Sequence, residues 1–475
     1  MALKIDLGIA PERLRPAAER LFEVSAQKII ALEKRWDPAK GTPVFTAKGK
    51  YTSRGWTEWT QGFQFGSALL QFDATGERQF LNIGRSKTVA LMATHVSHMG
   101  VHDHGFNNVS TYGNLWRLMR EGRIPFDSNE KNFYELALKV SGAVQGARWT
   151  QLDAGTGFIY SFNGPHSLFV DTLRSLRSLA LAYRLGHVLM SEHDERISLL
   201  GRLVAHAQCT ARYNIFYGIG RDAFDVRGRT VHESIFNLND GHYRCPSSQQ
   251  GYSPFSTWTR GLAWAILGFS EQLEFLASMT PSEMRRAGEE LEPGKRSRSW
   301  RDREIVEAVL LEAALVTADF YLDQACADGI PVWDTGAPNL HRLGNYGKVS
   351  ANPFNSWEPI DSSAAAIAAQ GLLRLGRYLS KQGNKREGNR YFKAGLTTAR
   401  TLFHEPYLST SSPHEGLLLH SVYHRPKGWD YVHPGQKVPN GESSMWGDYH
   451  ARELALLILR MARGEPYLTF FGPSP

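Results

Sequence analysis

Asp361-Ser362-Ser363-Ala364-Ala365-Ala366-Ile367-Ala368-Ala369 joins a polar start to an unbroken run of small and apolar residues. Asp and Ser are favoured N-caps because their side-chain oxygens satisfy N–H groups that the first helical turn leaves unpaired. Alanine adds little bulk, so a helix built this way can approach its neighbours closely. The same pattern recurs five more times. Trp59-Thr60-Gln61-Gly62, His102-Asp103-His104-Gly105 and Val170-Asp171-Thr172 precede helical stretches in the first half of the chain. Trp258-Thr259-Arg260-Gly261 and Trp446-Gly447-Asp448-Tyr449 do so in the second. A less polar helix usually lies between instances, and helical periodicity runs through 175–188, 304–322, 362–382 and 452–463. Six alternations of inner and outer helix describe an all-α fold, an (α/α)6 barrel whose inner helices crowd a central axis. Their starts would gather polar side chains and N–H groups at one rim, which favours an anionic ligand. The plainer reading is a helical protein with ordinary polar caps. It covers Asp361-Ser362-Ser363 but not the clusters led by Trp, a poor cap.

Working outward, Leu14, Ala17, Leu21, Phe22, Val24, Ile29, Ile30 and Leu32 fall at helical spacing and predict an N-terminal helix over 11–36. A Gly/Pro/Lys-rich link follows over 38–50. Strand signals are scarce, with Thr156-Gly157-Phe158-Ile159-Tyr160 a short candidate. Residues 280–303 are charged and poorly periodic, and read as a polar insertion between helices. The whole of 1–475 is read as one barrel domain.

The 475 residues are 42% hydrophobic and 21% charged, enough apolar material for a large core. A net charge of +7 suits an anionic ligand. Nucleic acid is not expected, because there is no concentrated Lys/Arg run and no nucleic-acid module. The densest basic stretch, Lys295-Arg296-Ser297-Arg298, falls in the insertion. Cys209, Cys245 and Cys326 are isolated, which gives neither a disulfide framework nor a zinc site. The first residues lack a secretory apolar core and no apolar run reaches membrane-spanning length. The expectation is a cytoplasmic protein without a membrane segment, monomer or homodimer. No GxSxG, HExxH, Walker loop or strand-linked GxGxxG is present. No metal and no cofactor is expected.

Two carboxylates form the candidate acid/base pair. Asp103 stands in Gly100-Val101-His102-Asp103-His104-Gly105-Phe106, between two imidazoles whose charge can move its pKa. Asp171 stands in Ser167-Leu168-Phe169-Val170-Asp171-Thr172-Leu173, where apolar surroundings would raise its pKa and make it a proton donor. For both, a helix cap is the competing reading. Arg260 and Trp264 are four apart and share a helix face. Such a pair would hold a sugar acid, guanidinium on the carboxylate and indole on the ring. His232, in Thr230-Val231-His232-Glu233-Ser234, and Gln250 precede that face.

Taken in order, these stretches resemble glycoside hydrolase family 88, the unsaturated glucuronyl hydrolases. Carrying the resemblance are Trp59-Thr60-Gln61-Gly62-Phe63, His102-Asp103-His104-Gly105-Phe106 and Ser256-Thr257-Trp258-Thr259-Arg260-Gly261-Leu262-Ala263-Trp264, with the Asp361 and Trp446 stretches. The resemblance implies the same (α/α)6 barrel. It also implies a hydrolase that removes a 4,5-unsaturated uronic acid from the non-reducing end of lyase-generated oligosaccharides by hydrating the C4=C5 bond. Asp171 resembles the general acid/base and Asp103 its partner. His232, Gln250, Arg260 and Trp264 resemble substrate- and water-positioning residues, with His102, Trp59 and Trp446 on the same rim. The implied partner is a small acidic oligosaccharide. His104 and Leu262 depart from the family pattern, as does Thr172-Leu173-Arg174-Ser175. Arg174 is read as contacting a sulfated or second acidic sugar, or as facing solvent. The alternatives are an unsaturated rhamnogalacturonyl hydrolase acting on pectin fragments, or a non-catalytic carbohydrate-binding protein on the same fold.

Overall fold

The computed structural model describes residues 2–55, 58–152, 156–284 and 302–472. Most of the insertion expected over 280–303, Lys295-Arg296-Ser297-Arg298 included, lies outside them.

Six helical columns surround the axis, and each begins where a polar cluster ends. They are Gln61–Thr75; His104–Asn107 continued through a π turn (Val109–Gly113) into Asn114–Arg120; Thr172–Ser175 with Arg177–Arg184; Thr259–Ala277; Ser362–Lys381; and Met445–Ala462. Six outer helices alternate with them: Pro11–Arg35, Arg78–Leu91, Ser128–Ala147, Leu199–Tyr213, Arg303–Gln324 and Lys385–Leu402. The first outer helix packs on the last inner one, and that inner helix packs on Gln61–Thr75, so the ring closes between its two ends. The result is an (α/α)6 barrel. The N-terminal helix ends one residue before the expected boundary, and no described helix is long and apolar enough to cross a membrane.

Small residues let the inner ring close. A Cβ on Gly371 would lie 2.7 Å from Ile266 Cγ2 and from Leu267 N on the neighbouring inner helix. Gly268 meets Leu173 and Arg174 in the same way, and Gly105 meets the backbone of Ser175. Gly371→Ala should therefore lower stability by about 1–3 kcal/mol, the usual cost of overpacking a filled core. Thermal unfolding should show the loss, whereas an unchanged melting temperature would mean that the two helices separate freely.

Strands are short, and all but the hairpin of Leu189–Met190 and Arg196–Ile197 precede an inner helix at the rim. Gly157–Ile159 occupies the expected position and pairs with Trp149–Gln151. The sequence did not signal an antiparallel sheet of Ser167–Phe169, Glu233–Phe236 and Tyr243–Ser247. This sheet carries two candidate site residues to the rim.

Candidate active site

The rim holds a cavity of about 600 Å³, lined by Trp59, His102, Asp103, Asp171, Gln250, Arg260 and Trp264 among others. Seven of the nine residues singled out from the sequence thus meet at one opening. His232 and Trp446 stand behind its wall. Trp446 is fully buried, stacks on Trp59 with ring centroids 5.2 Å apart, and donates from Nε1 to Ser363 Oγ. It supports the rim instead of lining it.

Asp103 and Asp171 each occupy the residue just before an inner helix, yet neither side chain makes a capping hydrogen bond. Asp361, in the matching position, does cap, accepting from the N–H groups of Ser363 and Ala364. The capping reading therefore fits Asp361 and fails for the other two acids. His102 lies between them, its Nε2 3.6 Å from Asp103 Oδ1 and 3.5 Å from Asp171 Oδ2. Donor atoms of the three residues fall within 4.8 Å of one another. Two buried carboxylates at that spacing repel unless positive charge or a proton lies between them, and His102 is placed to supply it.

This arrangement reverses the titration expected for Asp171. Burial pushes its carboxyl up, but the hydrogen bond and charge of His102 outweigh burial and hold it below the usual range. Burial lifts Asp103 to about 6, with the negative charge of Asp171 adding to it and His102 opposing. His102 is itself raised, because the two carboxylates overcome a burial penalty that favours the neutral ring. Sequence neighbours alone hid this balance, which depends on His102 reaching across to a separate inner helix.

The raised Asp103 costs stability where it ionises. Its folded pKa lies above the ordinary carboxylate value, so its favourable contribution is present below about pH 4 and is lost as pH rises through about 6. Asp103→Asn should be neutral at pH 4 and stabilising by roughly 1–3 kcal/mol at pH 7. Urea denaturation of both proteins at the two pH values checks this, and a destabilised variant at pH 7 would contradict it.

Strand pairing places Asp171 beside His232. Phe169 faces Glu233 in register, and Val170 N donates to His232 O at 3.0 Å. His232 Nδ1 accepts from the backbone N–H groups of Gln249 and Gln250 at 3.1 and 3.4 Å. With Nδ1 accepting, the neutral ring carries its hydrogen on Nε2, and burial favours that neutral form. Nε2 is buried with no hydrogen-bond partner, as is Asp171 Oδ1. Such orphaned groups are rare in folded proteins and are characteristic of places where a ligand or water binds.

Arg260 lines the cavity, and its terminal nitrogens also meet protein groups. Its Nη1 bonds Asp361 Oδ2 at 3.0 Å and also the carbonyl of Val422, while Nη2 donates to Gln250 Oε1 at 2.7 Å and Tyr423 O at 2.8 Å. The guanidinium lies over Trp258 and Trp446. Both terminal nitrogens thus bond protein groups, among them Gln250 and the 422–423 backbone. Asp361, a cap at the sequence level, is its counter-ion. Trp264 does line the cavity, packed against Phe106 and His450. Arg174 is fully buried among acids of other inner helices, Glu271 and Glu453, and meets neither cavity nor solvent. His104 is likewise interior, bonded to Ser141 Oγ and His98 O.

The sequence reading missed one wall altogether. Tyr423, His424, Lys427 and Trp429 all face the cavity. Lys427 lies over the Trp429 ring at 5.1 Å, and Arg54 over the same ring at 4.5 Å. The stretch His424-Arg425-Pro426-Lys427-Gly428-Trp429 gathers basic residues next to an aromatic one in a loop, which was the available signal. Burial lowers His424 to about 4, which favours its neutral ring on this wall.

No family model matches the chain. The unsaturated glucuronyl hydrolase of Bacillus sp. (strain GL1) is 26% identical over 433 residues, spanning 89% of this chain and 90% of that protein. The unsaturated chondroitin disaccharide hydrolase of Streptococcus agalactiae serotype III (strain NEM316) is 22% identical over 404 residues, spanning 84% and 80%. Among solved structures, the unsaturated glucuronyl hydrolase from Bacillus sp. GL1, responsible for the degradation of glycosaminoglycan, superposes with a TM-score of 0.67. That match is at 23% identity over 94% of this chain and 96% of that one.

Proposed function

We propose that this chain, a glycoside hydrolase of the unsaturated glucuronyl hydrolase kind, removes a 4,5-unsaturated uronic acid from lyase-generated acidic oligosaccharides by hydrating the C4=C5 bond. One observation carries the reading. Asp103, His102 and Asp171 share their charges at the wall of an aromatic cavity, and Asp171 Oδ1 is buried there without a partner. The names of the relatives, which refer to glucuronyl, glycosaminoglycan and chondroitin disaccharide substrates, support a uronic acid linked to an amino sugar.

The C4=C5 bond and the ring oxygen form a vinyl ether conjugated to the uronate carboxylate. Protonation at C4 places positive charge on C5 and the ring oxygen. Water then adds at C5 and loses a proton, giving a hemiketal. Opening of that hemiketal breaks the C5–O5 bond and leaves C1 as a hemiacetal of the aglycone, which collapses to release it. One water is consumed and the donated proton is returned, so a single group can serve as both acid and base. Because water attacks C5 and not C1, the carboxylate spacing carries no information about anomeric retention or inversion.

Asp171 fits that double role. His102, raised by the two carboxylates, holds the proton within 3.5 Å of Asp171 Oδ2, close enough to pass across. A bound uronate adds negative charge, which raises the pKa of neighbouring carboxyls and favours the proton on Asp171. After transfer to C4, the carboxylate is ready to take a proton from water, and His232 Nε2–H is available to orient that water. Asp103 keeps His102 charged and is positioned for sugar hydroxyls. Trp59, Trp264 and Trp429 offer ring faces to the sugars, and Lys427 offers a cation.

The test is incubation with unsaturated disaccharides from chondroitin, hyaluronan, heparin, ulvan and pectin while the ultraviolet absorbance of the conjugated uronate is followed. Loss of absorbance on glycosaminoglycan disaccharides is expected. Faster loss on pectin fragments would favour the rhamnogalacturonyl alternative, and stable absorbance on all five would overturn the proposal.

A further inference from the structure

A second cavity, of about 570 Å³, adjoins the active-site cavity. Two segments form the wall between them. In 249–252, Gln249 and Gln250 face the first cavity and Tyr252 the second. In the single 3-10 turn Arg425–Lys427 and its flanks, His424, Lys427 and Trp429 face the first, while Arg425 and Pro426 face the second. A ligand that extends out of the first cavity over these two segments would meet the second.

The chemistry of the second cavity matches an acidic sugar. Its platform is the half-buried Trp357, with Arg342 over the ring at 4.6 Å and Lys437 at 5.5 Å. Arg425 adds a third cation, its Nε buried without a hydrogen-bond partner. Among the described residues none of these three cations forms a salt bridge within 4.0 Å, although Arg425 is near enough to Asp430 to oppose the rise that burial gives its carboxyl pKa. The carboxylate in the lining, Glu358, is already engaged. It accepts from Trp333 Nε1 at 2.8 Å and from the backbone and side chain of Asn339 at 2.9 and 3.0 Å. Cations held over an indole at a cavity wall can pair with a carboxylate or sulfate on a sugar that enters it.

We propose that this second cavity is a distal subsite for the next acidic sugars of an oligosaccharide whose unsaturated end occupies the first. The inference rests on the acidic oligosaccharide substrate proposed above. It makes the enzyme selective for length, preferring an unsaturated tetrasaccharide to the disaccharide of the same polymer.

Comparing kcat/KM for unsaturated di- and tetrasaccharides of one glycosaminoglycan tests it. The unmodified protein should favour the tetrasaccharide about five- to tenfold, the scale of one aromatic and one charged contact. Trp357→Ala should abolish that preference and leave disaccharide turnover unchanged. Lys437→Glu, at an exposed position that tolerates substitution, should do the same and should also remove the salt sensitivity of the preference. Equal rates on the two lengths in the unmodified protein would overturn the subsite and leave the proposed reaction standing, as would equal losses on both substrates in the variants. Turnover of neither length would overturn both.

Discussion

Asp171→Asn is expected to lower kcat/KM on an unsaturated disaccharide by about 10²–10⁴-fold, the usual contribution of a positioned general acid or base. The substitution keeps the side chain's size and one carbonyl oxygen but removes the group that takes a proton from His102. Folding should be intact, because the Asp171 side chain caps no helix and its Oδ1 bonds nothing. The loss should appear in kcat, with KM little changed, since the substrate's other contacts remain. A calorimetric titration with the disaccharide then separates catalysis from binding. Retained affinity with lost turnover fits an acid/base role, whereas activity within threefold of the unmodified protein would remove Asp171 from the mechanism.

Glu453→Ala is expected to have the largest effect on stability. Glu453 sits on the last inner helix and bonds Arg174 Nη2 at 2.7 Å, with Arg177 Nη1 3.7 Å away. Glu271 and Arg374, from two further inner helices, complete a network without solvent access. Burial pushes the Glu453 carboxyl up, but Arg174 and Arg177 overwhelm it and bring it down to about 2. A depressed pKa means stabilisation that is fully present above the ordinary glutamate value and lost as pH falls toward 2. Removing Glu453 leaves Arg174 and Arg177 to share Glu271 with Arg374, at a cost of about 3–5 kcal/mol. Urea denaturation at pH 7 should show that loss, and a loss below about 1 kcal/mol would mean that the arginines find other partners. The network also bears on catalysis. Arg174 follows Asp171 by one helical turn, so the buried charges pin the helix that carries the proposed acid.

The barrel was legible because each inner helix needs two things that appear in adjacent residues: a polar start and small residues for close packing. All six clusters read from the sequence begin inner helices, including those led by Trp, which turned out to shape the rim. The acid pair was legible for the same reason, since a carboxylate at a helix start that does not cap faces the opening. What sequence order concealed was long-range pairing. Arg260 reads as a free guanidinium until Asp361 arrives from the next inner helix. Asp171 reads as a raised acid until His102 is brought within 3.5 Å. Arg174 reads as a surface or substrate contact until Glu271 and Glu453 close around it. The rim sheet escaped notice because its strands are three to five residues long, too short for alternation to register. The 423–429 wall escaped because a lone basic and aromatic loop carries no periodicity.

The central claim is that a proton is delivered to C4 of the unsaturated uronate. Running the reaction in deuterium oxide and examining the earliest product by nuclear magnetic resonance tests it most directly. The account predicts one deuterium on a single face of C4, formed in step with release of the aglycone and absent with Asp171→Asn. Release of the aglycone with the C4=C5 bond intact and no deuterium at C4 would contradict it, because the glycosidic bond would then have been broken directly at C1.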